Sequence, residues 1–323
     1  MNRYKTQENG FVILLVMWVL VLLIALGTEF AFSMRTEINT TRNYKEDVAS
    51  YYLAKAGINL AMAEILQTAK YHSWTEEAGY IIGKPLAEGI EDDLEIAQVE
   101  PVNRKNIALG NGSFTYTIQD ENGKINLNTA SRDIIIKALK ANGLEFGTQR
   151  DTIADAILDW IDKDDNHRVN GAESDYYQAQ SPPYDAKNGP FDSLHELLLI
   201  RGMSEQILYG KSDDAENSFE SASVPGLATM FTVQNVPGIN PNTAKPAVLS
   251  LLYSDIQADE IEQAKNDRGY FNDTLSTHFR VEATGTINNS QTQHTIVAIF
   301  EKQGNDEKTI LITRYWNDNA LGR

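Results

Sequence analysis

Residues 11–28 form one apolar run, FVILLVMWVLVLLIALGT, which contains no charged side chain. A helix over this run would measure about 27 Å, close to the roughly 30 Å hydrocarbon core of a bilayer. Glu29 and Phe30 follow at once, where a secretory signal peptide would present small residues for cleavage. The sequence therefore predicts a membrane helix over residues 11–32 that stays attached to the chain.

The ten residues before this run end at Gly10, and they carry Arg3 and Lys5 against one acidic residue, Glu8. A basic excess before a membrane helix favours a cytoplasmic N-terminus. The junction of Gly10 with Phe11, together with the apolar run, resembles the leader of type IV pilins and of the pseudopilins of type II secretion. That resemblance implies that prepilin peptidase cleaves between Gly10 and Phe11 and that the new amino terminus is methylated. An ordinary uncleaved N-terminal anchor is the alternative interpretation.

One position of the apolar run departs from the pilin pattern. Most members of that family carry a glutamate five residues into the processed chain, where it neutralises the terminal amine of a neighbouring subunit, but here the residue is Leu15. A buried ammonium without a partner is costly, so repeated self-stacking is disfavoured and a position at the filament tip is predicted. The missing glutamate and the length of the chain resemble the general secretion pathway protein K family of minor pseudopilins.

The length and the charge of the chain bound its organisation and its partners. A chain of 323 residues leaves room for two cores. Without residues 1–10 it has 26 Lys and Arg against 44 Asp and Glu, a formal charge of −18, which would repel nucleic acid and anionic lipid. Because no cysteine is present, disulfide bonds are excluded.

The apolar patterns after the membrane run predict an α+β fold. Residues 43–69 keep a helical apolar spacing, which places the charged side chains on the opposite face: Glu46, Asp47, Lys55 and Glu64. Alternating apolar residues predict half-buried antiparallel strands at residues 113–119, 279–286, 294–301 and 308–316. The resemblance to pilins implies that the long N-terminal helix packs on an antiparallel sheet formed by such strands.

Between the two strand regions lies a long acidic stretch with helical periodicity, which we interpret as a large inserted all-α domain. The predicted divisions are a leader at 1–10, a transmembrane helix at 11–32, the first part of a pilin-like domain at 33–123, the inserted helical domain at 124–266, and the C-terminal strands of the pilin-like domain at 267–323. The sequence thus predicts two cores, one of them interrupted by the other.

Two segments of the insert echo one another: residues 123–130 (GKINLNTA) and residues 237–244 (PGINPNTA). Each is expected to cap the helix that follows it, through Asn128 or Thr129 and through Asn242 or Thr243. A third segment, residues 194–204, has a similar helix, glycine turn and helix pattern. These units resemble helix-hairpin-helix and SAM-like modules, some of which bind the DNA backbone. The acidic surroundings oppose phosphate binding, so simple packing of helices is favoured.

Residues 162–175 concentrate oxygen-bearing side chains, since seven of these fourteen residues are acidic or amide residues. Hard cations such as calcium take about six to eight oxygen ligands. The predicted ligands are Asp162, Asp164, Asp165, Glu173 and Asp175, with a backbone carbonyl from Arg168 or Val169. A divalent ion at this loop would remove the repulsion among the clustered carboxylates.

The loop matches an EF-hand only in part. Glu173 is twelfth counted from Asp162, as in an EF-hand, but the sixth position holds His167 in place of glycine. A solvated acidic turn without metal is the alternative interpretation. The resemblance to calcium-binding insert domains of pseudopilins favours calcium, as one or more ions.

No catalytic motif is present in the sequence. It has no cysteine nucleophile, no Gly-x-Ser-x-Gly turn and no His-Glu-x-x-His pair, and its five histidines are scattered. We therefore predict a protein of assembly that is not an enzyme: a minor pseudopilin of a type II secretion system, at the tip of the periplasmic pseudopilus, supporting its assembly and protein export across the outer membrane.

The expected partners are other minor pseudopilins in a hetero-oligomeric tip complex, prepilin peptidase and the inner membrane, with no nucleic acid. The expected location is the bacterial inner membrane, crossed once, with the large C-terminal region in the periplasm. Two other functions stay open from the sequence. One is a minor pilin of a type IV pilus or DNA-uptake system, and the other is a membrane-anchored helix-hairpin-helix module that binds nucleic acid.

Overall fold

The computed structural model describes residues 8–75, 79–83, 102–210, 224–305 and 308–318. The first helix, α1 (Glu8–Ile65), runs unbroken for 58 residues, about 87 Å at the rise of an α-helix. Residues 11–45 are all exposed, and Ser50 is the first buried residue after them. Residues 1–7 of the predicted leader lie outside the described residues.

The composition of α1 fits a single membrane anchor. Its most apolar window of 18 residues has a mean hydropathy of 3.0, and none of that window is buried. Within the described ranges, α1 is the one helix long and apolar enough to cross a bilayer. The predicted span at residues 11–32 therefore lies at the N-terminal end of a much longer helix.

The strands of the described chain are β1 (Tyr71–Thr75), β2 (Gly79–Gly83), β3 (Ile107–Leu109), β4 (Gly112–Asp120), β5 (Ile125–Asn126), β6 (Phe231–Thr232), β7 (His278–Ile287), β8 (Gln293–Asn305) and β9 (Lys308–Asn317). Five of them form one antiparallel sheet in the order β3-β4-β7-β8-β9, and β1 pairs with β2 in a separate hairpin. The four predicted strands are confirmed as β4, β7, β8 and β9, and with α1 they confirm the α+β fold.

The C-terminal part of α1 packs on one face of the five-stranded sheet. Ile58 and Ile65 of α1 are buried in one core with Phe114 and Phe300 of the strands. Gly285 of β7 allows the helix to approach closely, because a Cβ at this position would collide with the carbonyl oxygen of Ser50. The sheet therefore fixes the helix by shape as well as by apolar burial.

The expectation that Glu64 is exposed on α1 is wrong. Its side chain is 6% exposed and faces the sheet, where it forms an ion pair with Arg104. Arg104 Nε donates to Glu64 Oε2 at 3.2 Å, and the Tyr116 hydroxyl donates to the same oxygen at 3.0 Å. Helical periodicity could not reveal this, because the charge partner is 40 residues away in sequence.

Between β4 and β7 the chain builds a second hydrophobic core. Its helices are α2 (Arg132–Ala141), α3 (Thr148–Ile161), α4 (Ser174–Gln178), α5 (Glu205–Tyr209), α6 (Leu227–Met230), α7 (Pro246–Leu252) and α8 (Asp255–Arg268). They enclose buried side chains such as Ile135, Ile157, Leu208 and Leu249. The insert also contains one short parallel pairing, between β5 and β6. Its predicted boundaries at residues 124 and 266 stay a prediction.

Buried polar side chains join the insert to the sheet. Asp120, the last residue of β4, accepts hydrogen bonds from Thr243 Oγ1 at 2.5 Å, from the backbone N–H of Asn122 at 2.8 Å and from the Ser276 hydroxyl. Burial raises the pKa of this carboxyl to about 6. Asn122 and Ser276 flank the insert and Thr243 lies within it, so the insert is held directly against the end of the sheet.

Candidate functional site

The acidic loop, residues 162–173, connects α3 to α4. Helix α3 keeps Ile153, Ile157 and Trp160 in the core of the insert. Its last turn also carries Asp159, whose side chain is 0% exposed. The helix thus brings one carboxylate into the interior next to the predicted metal-binding loop.

Arg168 supplies the positive charge among these carboxylates. Its Nη1 atom lies 2.5 Å from Asp159 Oδ1 and 2.6 Å from Asp162 Oδ2. Its backbone N–H donates to Asp159 Oδ2 at 3.1 Å. Gly171 passes so close that a Cβ there would collide with the Asp159 carboxylate. The loop therefore wraps around Asp159, and Arg168 contributes its guanidinium, where the sequence suggested only its carbonyl.

Glu173 is a buried carboxylate without hydrogen bonds in the described part of the chain. It is 2% exposed, and neither of its oxygens finds a partner there. Oδ1 of Asp162 is also buried and unpartnered among those residues. Burial first, and then the charges of Asp159, Asp162, Asp165 and Asp164, raise the pKa of Glu173 to about 7. The loop therefore gathers several carboxylates close enough to repel one another.

The remaining predicted ligands make local hydrogen bonds. Asp164 Oδ1 accepts the backbone N–H two residues later at 3.0 Å, and Asp165 Oδ1 accepts from Asn188 Nδ2 at 2.9 Å. Asp175 is exposed and accepts the next backbone N–H at 2.7 Å. Among the residues that the structure describes, no three acidic or histidine side chains form a ready metal centre.

The oxygens at this loop are nevertheless of the type that calcium binds. Two oxygens of Glu173 and one of Asp162 are buried without a partner among the described residues, and hard cations prefer such carboxylate ligands. Arg168 now neutralises Asp159 and Asp162, so an ion there would compete with its guanidinium. The assignment of Asp162, Asp164, Asp165, Glu173 and Asp175 as ligands stays a prediction.

Aromatic residues pack against one another beside the acidic loop. The rings of Trp160 and Tyr177 meet edge to face at 5.3 Å, and Tyr184 stacks on Tyr177 at 5.2 Å. Arg201 lies over the ring of Tyr176 at 4.7 Å and donates from Nη1 to the carbonyl of Gly171 at 3.0 Å. These contacts fix the two ends of the loop against the core.

The two echoed segments perform the same task in the structure. In each copy the first asparagine, Asn126 or Asn240, accepts the backbone N–H two residues later at 3.0 Å. The second, Asn128 or Asn242, accepts the backbone N–H of a phenylalanine in a distant loop at 2.7 Å. Both copies of the echoed segment therefore use asparagine side chains to bind backbone N–H groups of the protein itself.

The predicted caps in the echoed segments are wrong. Helix α2 is capped by Ser131, whose hydroxyl accepts from the backbone N–H of Ile134, and α7 follows Lys245, which makes no capping bond. The asparagines predicted as caps instead hold loops together, a role that depends on segments far away in sequence. Local capping preferences could not distinguish the two uses.

Comparisons with known proteins point to one family. A family model described as type II secretion system (T2SS), protein K, matches residues 115–209, which include the acidic loop. The putative type II secretion system protein K of Escherichia coli (strain K12) is 26% identical over 215 residues, 63% of this chain and 60% of that protein. The type II secretion system protein K of Pseudomonas aeruginosa is 24% identical over 245 residues, 71% of this chain and 70% of that protein.

The fold is also found in a solved structure. The crystal structure of the GspK-GspI-GspJ complex from the enterotoxigenic Escherichia coli type 2 secretion system contains a chain that superposes with a TM-score of 0.55 at 15% identity. The match covers 88% of this chain and 100% of that chain. The leader junction, the helix on its sheet, the helical insert and these relatives agree, and the chain is similar to the type II secretion system protein K family.

Proposed function

We propose that the chain is a minor pseudopilin at the tip of the type II secretion pseudopilus, where it supports pseudopilus assembly and protein export across the outer membrane. The observation that carries this proposal is the unbroken helix α1, which joins an exposed apolar segment to a helix packed on a sheet. The apolar segment would lie in the inner membrane, and the sheet and insert in the periplasm. The chain would act by assembly and not by catalysis.

Two features support the tip position. Leu15 offers no carboxylate to the terminal amine of a subunit ahead of it, so that amine would be buried without a partner. The insert has a core of its own and is bonded directly to the end of the sheet, which makes it bulky for repeated stacking. The relative in the GspK-GspI-GspJ complex supports other minor pseudopilins as partners.

Expression with prepilin peptidase and two other minor pseudopilins tests this function. We expect a processed chain that begins at Phe11 and copurifies with both of them from detergent. Gly10→Leu should block processing, whereas Asn9→Ala should not, because the resemblance places the cleaved bond after residue 10. Mass spectrometry of the N-terminal peptide measures this. An intact Met1 terminus, under conditions in which a control pilin is processed, would contradict the assignment.

We also propose that the acidic loop binds calcium, supported by the buried and unpartnered oxygens of Glu173 and Asp162. Calcium at a hundred times its dissociation constant would stabilise the folded chain by about 2.7 kcal/mol. We therefore expect a higher melting temperature in calcium than in chelator. Glu173→Gln should abolish this difference without lowering the melting temperature in chelator, because it removes a repelled charge.

The matched variant for the calcium test is Asp133→Asn, which alters a carboxylate 74% exposed on α2. Its calcium response should equal that of the wild-type chain. Asp175→Asn shows whether the exposed Asp175 is a ligand. If this variant loses the calcium response, Asp175 is a ligand of the ion. Coincident wild-type melting curves in calcium and in chelator would rule out the site.

A further inference from the structure

Strand β9 is a long edge strand. It is last in the order of the five-stranded sheet and contains ten residues. Within the described ranges no strand pairs with its other side. The opposite edge of the sheet is β3, which has only three residues. The extended backbone of β9 is therefore the larger template for a further strand.

The register of the sheet shows which backbone groups of β9 point outward. The N–H of Lys302 in β8 donates to the Thr277 carbonyl, on the β7 side, at 2.7 Å. Lys302 is opposite Leu311 of β9, and in an antiparallel pair a residue points its N–H and C=O to one side. Leu311 therefore directs both groups away from β8, and so does Thr313 two residues later. Neither donates to a turn or loop carbonyl among the described residues.

The face of β9 turned away from α1 carries apolar side chains. Leu311 packs toward the α1 core, so its neighbours Ile310 and Ile312 lie on the opposite face. Ile310 is 56% exposed and Tyr315 is 43% exposed. Tyr315 also lines a groove of about 520 Å³ between the sheet and the insert, with Ile299 of β8 on its floor. The unpaired edge of β9 is thus flanked by the apolar side chains of Ile310 and Ile312 and by the groove that Tyr315 lines.

We propose that β9 is a docking edge that receives an extended strand from another subunit of the assembly, an inference that rests on the proposed function. Outward N–H and C=O groups on an edge strand form hydrogen bonds with another extended backbone. The partner is therefore expected to be a polypeptide segment in the extended conformation. The added strand pairs with the outward groups of Leu311 and Thr313. Its alternate apolar side chains cover Ile310 and Ile312 and extend toward the groove.

In the register centred on Leu311, charge disfavours a second copy of β9 as the added strand. Antiparallel pairing of two β9 strands centred on Leu311 would place Lys308 of one copy opposite Arg314 of the other. Like charges directly opposite one another destabilise a strand pair. The strand that fits carries an acidic residue opposite Lys308 and apolar residues beyond it, because Arg314 already pairs with Glu301 of β8.

Amide hydrogen exchange of the full-length chain in detergent tests the docking edge. In the chain alone, we expect the amides of Leu311 and Thr313 to exchange rapidly and the inward amide of Ile312 to exchange slowly. In the complex with the two coexpressed minor pseudopilins, the two outward amides should slow by about tenfold or more, because they become hydrogen-bonded.

A pair of variants at one position isolates the backbone contribution. Thr313→Pro removes the outward N–H and keeps the bonds to β8, since proline is tolerated on the open side of an edge strand. Thr313→Ala changes the side chain and keeps the N–H. We expect the proline variant to lose the complex and the alanine variant to retain it.

A wild-type complex in which Leu311 and Thr313 exchange as rapidly as in the free chain would overturn the docking edge. This holds even if Thr313→Pro fails to fold, because the exchange measurement needs no variant. If the wild-type chain forms no complex with the minor pseudopilins, the proposed function fails and the docking edge fails with it.

Discussion

Arg104→Met is expected to lower the free energy of unfolding by about 3–5 kcal/mol, the usual cost of leaving one member of a buried ion pair without its partner. Glu64 is 6% exposed and Arg104 is 12% exposed, so water cannot replace the guanidinium. The pair also holds the Tyr116 hydroxyl between α1 and the sheet. Thermal unfolding of the full chain in detergent, followed by near-ultraviolet circular dichroism, should show a clearly lower midpoint.

Two variants separate charge from packing in this experiment. Lys137→Met breaks an exposed pair with Asp133 and should change stability by less than about 0.5 kcal/mol. The double variant Arg104→Met with Glu64→Gln should recover most of the loss, because glutamine is uncharged and still accepts from the Tyr116 hydroxyl. An Arg104→Met chain as stable as the wild type would mean that Glu64 needs no cation.

Arg168→Met is expected to have the second largest effect, and the effect should depend on calcium. In chelator the variant leaves Asp159 and Asp162 without their cation, and we expect a loss of about 2–4 kcal/mol. The loss falls below that at Arg104 because Arg168 is 38% exposed and water can approach from its side. Calcium should restore most of the stability, because the divalent ion then has no competing guanidinium. Melting curves in calcium and in chelator measure both effects.

Lys163→Met is the matched control for Arg168→Met. It removes the same charge from the same loop, but Lys163 is exposed and makes no ion pair among the described residues. We expect it to leave both melting curves nearly unchanged. If Arg168→Met shows equal losses in calcium and in chelator, the guanidinium has a structural role and calcium does not take its place.

Regular patterns in the sequence predicted the fold, and contacts between distant segments limited the prediction. The apolar run of α1 and the alternation in β4, β7, β8 and β9 depend on local periodicity, so they could be recognised. The hairpin of β1 and β2 was missed because its strands have only five residues each. The burial of Glu64 was missed because helical spacing assigns a charged residue to solvent and cannot show a distant arginine.

The acidic loop shows the same limit at the level of single residues. Composition identified Glu173, which is buried with both oxygens unpartnered in the described structure, and Asp162, of which only Oδ1 is buried and unpartnered there. Composition could not show that Asp159 is buried too, because Asp159 follows the pattern of polar residues along α3. It also could not show that Arg168 turns its guanidinium inward, since this depends on how the loop closes. The tertiary arrangement decides which of several similar carboxylates lie together.

The continuity of α1 links motion in the membrane to motion of everything attached to its far end. Phe32 ends the predicted span, and Glu46 accepts a hydrogen bond from the Ser290 hydroxyl, between β7 and β8, at 2.6 Å. About 21 Å of helix therefore separates the end of the span from this first contact with the sheet. No proline occurs in α1, and proline is the usual cause of a sharp kink. A shift of the helix by one residue past its neighbours would raise the sheet and insert by about 1.5 Å and turn them by about 100°. An unkinked helix would therefore pass a one-residue step along its axis to the sheet and insert as both a translation and a rotation.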